Sequence, residues 1–172
     1  MKKLISSLFF LLILSSLSCW AQESKSQEPL LDQMTGNWLL KGNIGGKETT
    51  HDITTAWVLG HQYIQLTEIS REKNASGKPE YEATVFITFD TKKTEYTCLW
   101  LDNTGNGGLS AQAVGHAKPD GNRIEFIFKI SDTSNFHTVF LYDKVTDSWQ
   151  WMMDDEENGK SQSFARVNLT RK

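Results

Sequence analysis

Gly36-Asn37-Trp38 is the stretch that decides the fold of this 172-residue chain. It follows a short segment, Pro29 to Thr35, in which Leu30, Leu31 and Met34 share one helical face. Proline is accepted in a first helical turn and glycine suits a helix end, so this segment reads as a short capping helix that stops at Gly36. A glycine two residues before a tryptophan, at the entry to a first strand, lets the chain turn tightly and sets an indole where it can seal one end of a barrel.

From Asn37 onward apolar residues alternate with polar ones, which is the period of a half-buried strand. The pattern predicts strands over Trp38–Asn43, Ile53–Leu59, Gln62–Arg71, Tyr81–Asp90, Glu95–Leu101, Leu109–His116, Arg123–Ser131, Phe136–Tyr142, Ser148–Asp154 and Ser161–Thr170. The breaks carry turn residues: Gly45-Gly46, Leu59-Gly60, Asn74 to Pro79, Asn103 to Gly108 and Pro119-Asp120-Gly121. Connections this short join antiparallel neighbours, because parallel strands need crossovers of about a dozen residues or more. The expected fold is all-β: an antiparallel up-and-down meander of about ten strands, closed so that no sheet edge is left exposed.

Upstream, Lys2-Lys3 precede an apolar stretch from Leu4 to Leu17, and Ser18-Cys19-Trp20-Ala21 supplies small residues at a cleavage point. This predicts a secretory signal over residues 1–21, a polar tether over 22–28 and one barrel domain over 29–172. The stretch is short of the roughly 20 apolar residues that a membrane crossing takes. Cys19 offers an alternative, a lipid anchor in the cell envelope, but Ser16 stands three places before it where a large aliphatic residue would be expected. With cleavage after Ala21, Cys98 is the one cysteine left, and the domain is expected to fold as a monomer without a disulfide.

Removal of Lys2 and Lys3 takes the 18 basic residues to 16 against 21 acidic ones. That balance argues against nucleic acid as a partner, since phosphate binding needs clustered Lys and Arg. Six tryptophans and nine phenylalanines can pack a core or line a pocket. Barrels of about ten strands can leave an interior that side chains do not fill. The expected occupant is a small hydrophobic molecule, and the expected lining is drawn from Trp57, Tyr63, Phe86, Tyr96, Trp100, Phe126, Phe128, Phe140, Trp149 and Trp151.

The four histidines, His51, His61, His116 and His137, are spread along the chain. No HExxH or CxxC pattern is present, so no metal and no cofactor is expected. His137 lies in the phase opposite the aromatic face and reads as a surface residue, whereas His61 follows a turn and reads as a rim residue. Cys98, between Tyr96 and Trp100, reads as a buried, inert thiol. Asp102 to Gly108 lacks the closing glutamate of a calcium loop, and Asp154-Asp155-Glu156-Glu157 reads as a soluble hairpin tip. No catalytic group stands out. The alternatives to a carrier are a hydrolase or isomerase using His61 or a carboxylate as base, and a module that binds another envelope protein.

Thr35-Gly36-Asn37-Trp38, Trp57 to Ile64, Phe89-Asp90 with Tyr96, Trp100-Leu101-Asp102, Gly115, Asp120-Gly121 and Phe164-Ala165-Arg166 together resemble the DUF1579 group of bacterial proteins over about Leu30 to Arg171. The resemblance implies a lipocalin-like or fatty-acid-binding-protein-like calycin barrel, with Gly36 and Trp38 at its floor. In such barrels a late-strand arginine packs over the floor tryptophan. The resemblance offers Arg166 or Arg171, and Arg166 is preferred because it shares a phase with Phe164. A cation over an indole face contributes about 0.5–2 kcal/mol. A related barrel family, the nitrobindins, binds haem through a histidine near the C-terminus; Ser161 to Lys172 contains none.

Overall fold

The meander closes. A computed structural model describes residues 28–105 and 109–172 and shows ten antiparallel strands in one barrel, each strand paired with its neighbours in sequence and β1 paired with β10. The strands are β1 (Gly36–Ile44), β2 (Lys47–Val58), β3 (Tyr63–Ser70), β4 (Glu82–Asp90), β5 (Glu95–Asp102), β6 (Val114–Ala117), β7 (Arg123–Lys129), β8 (Ser134–Asp143), β9 (Ser148–Glu157) and β10 (Lys160–Arg171). The seam runs from Trp38 opposite Arg171 to Ile44 opposite Ala165. Among the described residues one α-helix, α1 (Pro29–Met34), precedes the barrel. It stops one residue short of the expected end because Thr35 is extended and its N–H returns to the Asp32 carbonyl. The expected leader, the Cys19 anchor and nearly all of the tether lie outside the described residues.

Period-two alternation sorts side chains into the lumen. Trp38 and Leu40 of β1, Ile53 of β2, Ile64 and Leu66 of β3, Val85 and Ile87 of β4, Tyr96 and Cys98 of β5, and Phe126 of β7 are all buried. So are Phe140 of β8, Trp149 and Trp151 of β9, and Val167 and Leu169 of β10. Their rings interlock: Phe140 stacks on Trp151 at 4.7 Å and meets Phe126 edge-on at 6.4 Å. This packing fills the end of the barrel nearest α1.

Three strand bounds differ from the alternation by three residues or more. β2 begins at Lys47, not Ile53, because the Gly45-Gly46 turn brings Lys47 directly opposite Ile44 and the polar stretch that follows pairs along β1. β9 runs through Glu157, not Asp154, since Asp155, Glu156 and Glu157 pair with Phe136, Asn135 and Ser134 of β8. Conversely, β6 has only four residues, and a 3-10 turn, Ala111–Ala113, occupies the start of the stretch expected to be strand. Where β6 meets β7, a side chain on Gly115 would lie 2.7 Å from the Phe128 ring, so glycine there makes room for an aromatic residue inside the barrel.

Candidate functional site

Helix α1 and the C-terminal end of β10 build the floor. Trp38 is buried and donates its indole N–H to the Met34 carbonyl at 2.8 Å. The Arg171 guanidinium lies 4.1 Å from the centre of the Trp38 ring, donates to the Thr35 carbonyl at 2.7 Å and pairs with Asp147. Gly36 adopts φ +125°, and a Cβ there would sit 2.5 Å from an Arg171 nitrogen. The floor arginine is therefore Arg171 and not Arg166. A β-bulge between Ser163 and Ala165 resets the phase, so counting from Phe164 misplaces Arg166. Ala165, Val167 and Leu169 point inward, and Arg166 points outward to Asp154, 2.5 Å away.

The opposite end is hollow. A cavity of about 1130 Å³ is lined by residues of the β1–β2 turn, the β3–β4 and β5–β6 connections, and the facing walls of β2, β3, β5 and β7 to β10. Its two sides differ. Phe128, Phe136, Met153 and Phe164 form an apolar side, with Phe136 and Phe164 meeting edge-on at 5.7 Å. Thr49, His51, Glu68, Ser70, Tyr81 and Asp102 form a polar side.

The polar side follows from register. His51 faces Ser70 and Ile53 faces Glu68 across the β2–β3 pair, so His51 and Glu68 are diagonal neighbours on the inner face. Both are buried. His51 Nδ1 lies 2.5 Å from Glu68 Oε1, and His51 Nε2 lies 2.9 Å from the Thr49 hydroxyl. Thr49 in turn donates to Glu72 Oε2 at 2.8 Å. The Tyr81 ring stacks near the His51 ring at 5.7 Å, and its hydroxyl accepts from Trp100 Nε1 at 3.0 Å and donates weakly to Asp102 at 3.4 Å.

Burial pushes the Glu68 carboxyl upward from its usual range, with His51 opposing the shift and Asp102 adding to it. Burial also raises the Tyr81 phenol, helped by Glu68 and Asp102, so the phenol keeps its proton. Although partial burial works against it, Glu72 is held below the usual carboxylate range by the Thr49 hydroxyl and the Thr50 N–H. Glu68 Oε2 has no hydrogen-bond partner among the described residues. A buried acceptor left in that state costs about 1–3 kcal/mol.

Of the aromatic residues expected to line a pocket, the fold brings Trp100 and Phe128 to the cavity. Tyr96, Phe126, Phe140, Trp149 and Trp151 pack below it as core. Trp57 points inward at the floor, where its indole donates to Asp32 at 2.8 Å and stacks on His61 at 4.4 Å. Tyr63 is exposed, and Phe86 lies on the outer face between the buried Val85 and Ile87. His61 is thus at the floor end, away from the cavity. His116 pairs with Glu95 on the outside, and His137 sits on the outer wall between Glu125 and Glu156. Burial pushes the Cys98 thiol up, and nothing activates it. Sequence reasoning passed over His51 and Glu68. The signal was present: His51 is in phase with Ile53, and Glu68 with Ile64 and Leu66.

Among the described residues no three His, Cys, Asp or Glu side chains gather in a metal-binding group, and no helix is long and apolar enough to cross a membrane. No family model and no curated protein matches the chain. Among solved structures, it is similar to Rv2717c from M. tuberculosis, with a TM-score of 0.54 at 16% identity over 86% of this chain and 99% of that one. At that identity the likeness speaks for the barrel fold and for nothing finer.

Proposed function

We propose that this barrel holds a small, mainly hydrophobic molecule in the cavity at the end away from α1. The observation that carries the reading is the division of the lumen: one half is packed by interlocked aromatic rings, and the other is a cavity of about 1130 Å³ with an apolar side. Concave, largely apolar hollows with a few placed polar groups are the usual form of small-molecule sites. An apolar body laid against Phe136, Met153 and Phe164 would gain about 25 cal/mol for each Å² removed from water. The leader-like residues before Ala21 support export, and the spaced motifs support membership of the DUF1579 group.

The convergence of His51 with Glu68 raises a catalytic alternative, but both ring nitrogens are already engaged, by Glu68 and by Thr49. His51 therefore offers no free ring nitrogen to a substrate proton. The network orients side chains for binding.

Nile red, an apolar dye without an N–H or O–H donor, tests the reading. Saturable one-to-one binding with a blue-shifted emission is expected. Phe136→Asp, which sets a charge on the apolar side, should weaken it about tenfold or more. Absence of saturable binding, or binding indifferent to Phe136→Asp in a folded variant, would overturn the carrier reading.

A further inference from the structure

We infer that Glu68 anchors the ligand's head group, and that this head group is a hydrogen-bond donor, a hydroxyl or an amine, on an otherwise apolar molecule. The inference rests on the carrier reading and adds the class of ligand to it.

The argument is a count of protons along one chain of contacts. Glu72 Oε1 accepts the Thr50 N–H at 3.1 Å, and Glu72 Oε2 accepts the Thr49 hydroxyl proton at 2.8 Å. Thr49 has a single proton, so toward His51 Nε2, at 2.9 Å, its oxygen can only accept. His51 Nε2 therefore carries hydrogen. One proton remains to be shared between His51 Nδ1 and Glu68 Oε1 across 2.5 Å. Placed on nitrogen, it gives an imidazolium and a carboxylate; placed on oxygen, it gives a neutral imidazole and a carboxylic acid whose hydrogen sits on Oε1. Glu68 Oε2 is bare in both arrangements. It is an acceptor only, in a side chain 1% exposed, on a residue that lines the cavity, and it has no partner among the described residues.

Buried acceptors are rarely left unpaired, and such an atom on a side chain that lines a cavity calls for a donor. The surroundings select further. Asp102 lines the same side and, among the described residues, meets neutral donors: the Thr104 hydroxyl, the Thr104 and Gly105 N–H groups and the Tyr81 phenol. Lys47, the lysine of the lining, is committed to Glu80 at 2.6 Å. A carboxylate head group would meet the bare Glu68 oxygen and the Asp102 charge with no free cation beside them among the described residues. The site thus favours an alcohol or an ammonium and rejects a fatty acid, whose apolar chain would otherwise suit the cavity.

Three probes that share a twelve-carbon chain test this by displacing Nile red from the full-length mature protein: dodecanol, dodecylamine and dodecanoate, each below its micellar concentration. Dodecanol and dodecylamine should displace the dye at concentrations about tenfold or more below dodecanoate. A tighter amine identifies an ammonium ligand, and a tighter alcohol a hydroxyl ligand. Glu68→Met should erase the preference for dodecanol over dodecanoate. Glu68→Gln should keep it, because the carboxamide can donate to His51 Nδ1 and leave its oxygen toward the cavity. Equal displacement by all three probes, or a preference that survives Glu68→Met, would overturn the inference while leaving the carrier reading intact. Should Glu68→Met not fold, the ranking of the three probes on the unaltered protein decides. Failure of Nile red itself to bind would instead remove the carrier reading.

Discussion

The two ends of this barrel are held together by different physics. At the floor, α1, Trp38 and Arg171 close the lumen over packed rings, and nearly every inward side chain is apolar. At the mouth, inward positions on β2 and β3 carry His51, Glu68 and Ser70, Lys47 pairs with Glu80 at the cavity rim, and Arg166 pairs with Asp154 on the outer wall. Burial holds the floor; charge and hydrogen bonds shape the mouth. On the proposed carrier reading, stability and binding are divided between the two ends.

The largest effect should come from the floor. Trp38→Ala removes a buried indole, its hydrogen bond to Met34 and the surface on which Arg171 lies, and should cost about 3–5 kcal/mol in urea unfolding. A loss under about 1 kcal/mol would show that α1 and the floor are not part of the cooperative unit. Gly36→Ala should follow at about 1–3 kcal/mol, since it combines φ +125° with a Cβ 2.5 Å from the Arg171 guanidinium. Repeating it in an Arg171→Ala background separates the two causes. The steric part should vanish there and the backbone part should remain, and an unchanged cost would mean that crowding by Arg171 contributes nothing.

The same contrast explains what the sequence could disclose. The floor is written in residue types with few alternatives: a proline-led helix, a glycine at positive φ and a tryptophan two residues on. The strands are written in alternation and turn glycines, so a closed meander was legible. Arg171 was obscured by one extra residue at the Phe164 bulge, because period-two counting has no way to detect an inserted position. The mouth was obscured for another reason. A histidine and a glutamate in strands are assigned to solvent by type, although their phase with Ile53 and Leu66 put them inside. Phase and type conflict at such positions, and this conflict is the sequence signature of a polar site within a lumen. The aromatic residues misled in the opposite way: most of them belong to the packed half, where no ligand fits.

The smallest effect expected lies on the outer wall of the hollow half and concerns His137. Its Nδ1 is 3.0 Å from Glu125 and its Nε2 is 2.9 Å from Glu156, so both nitrogens face carboxylates and both must donate. Glu125 is shared with Arg123 at 2.6 Å and Glu156 with Asn135 at 3.0 Å. Partial burial acts against the imidazolium, yet Glu156 and Glu125 hold its pKa above the usual value of 6.5. A raised folded pKa stabilises below the unfolded value and is lost as pH rises through the folded one. The two glutamates are shifted down from 4.5, so their share is lost on the acid side. The pair should therefore contribute most between 4.5 and 6.5 and fade above that. The contribution should be small, because the groups are partly exposed and screened by salt. His137→Gln should flatten the fall in the urea midpoint between about pH 6 and about pH 8.5. It should leave the cost of Trp38→Ala unchanged, since the two sites share no partner. An equal slope with and without His137 would show that charge on this wall does not hold the mouth, and that the two ends differ only in how full they are.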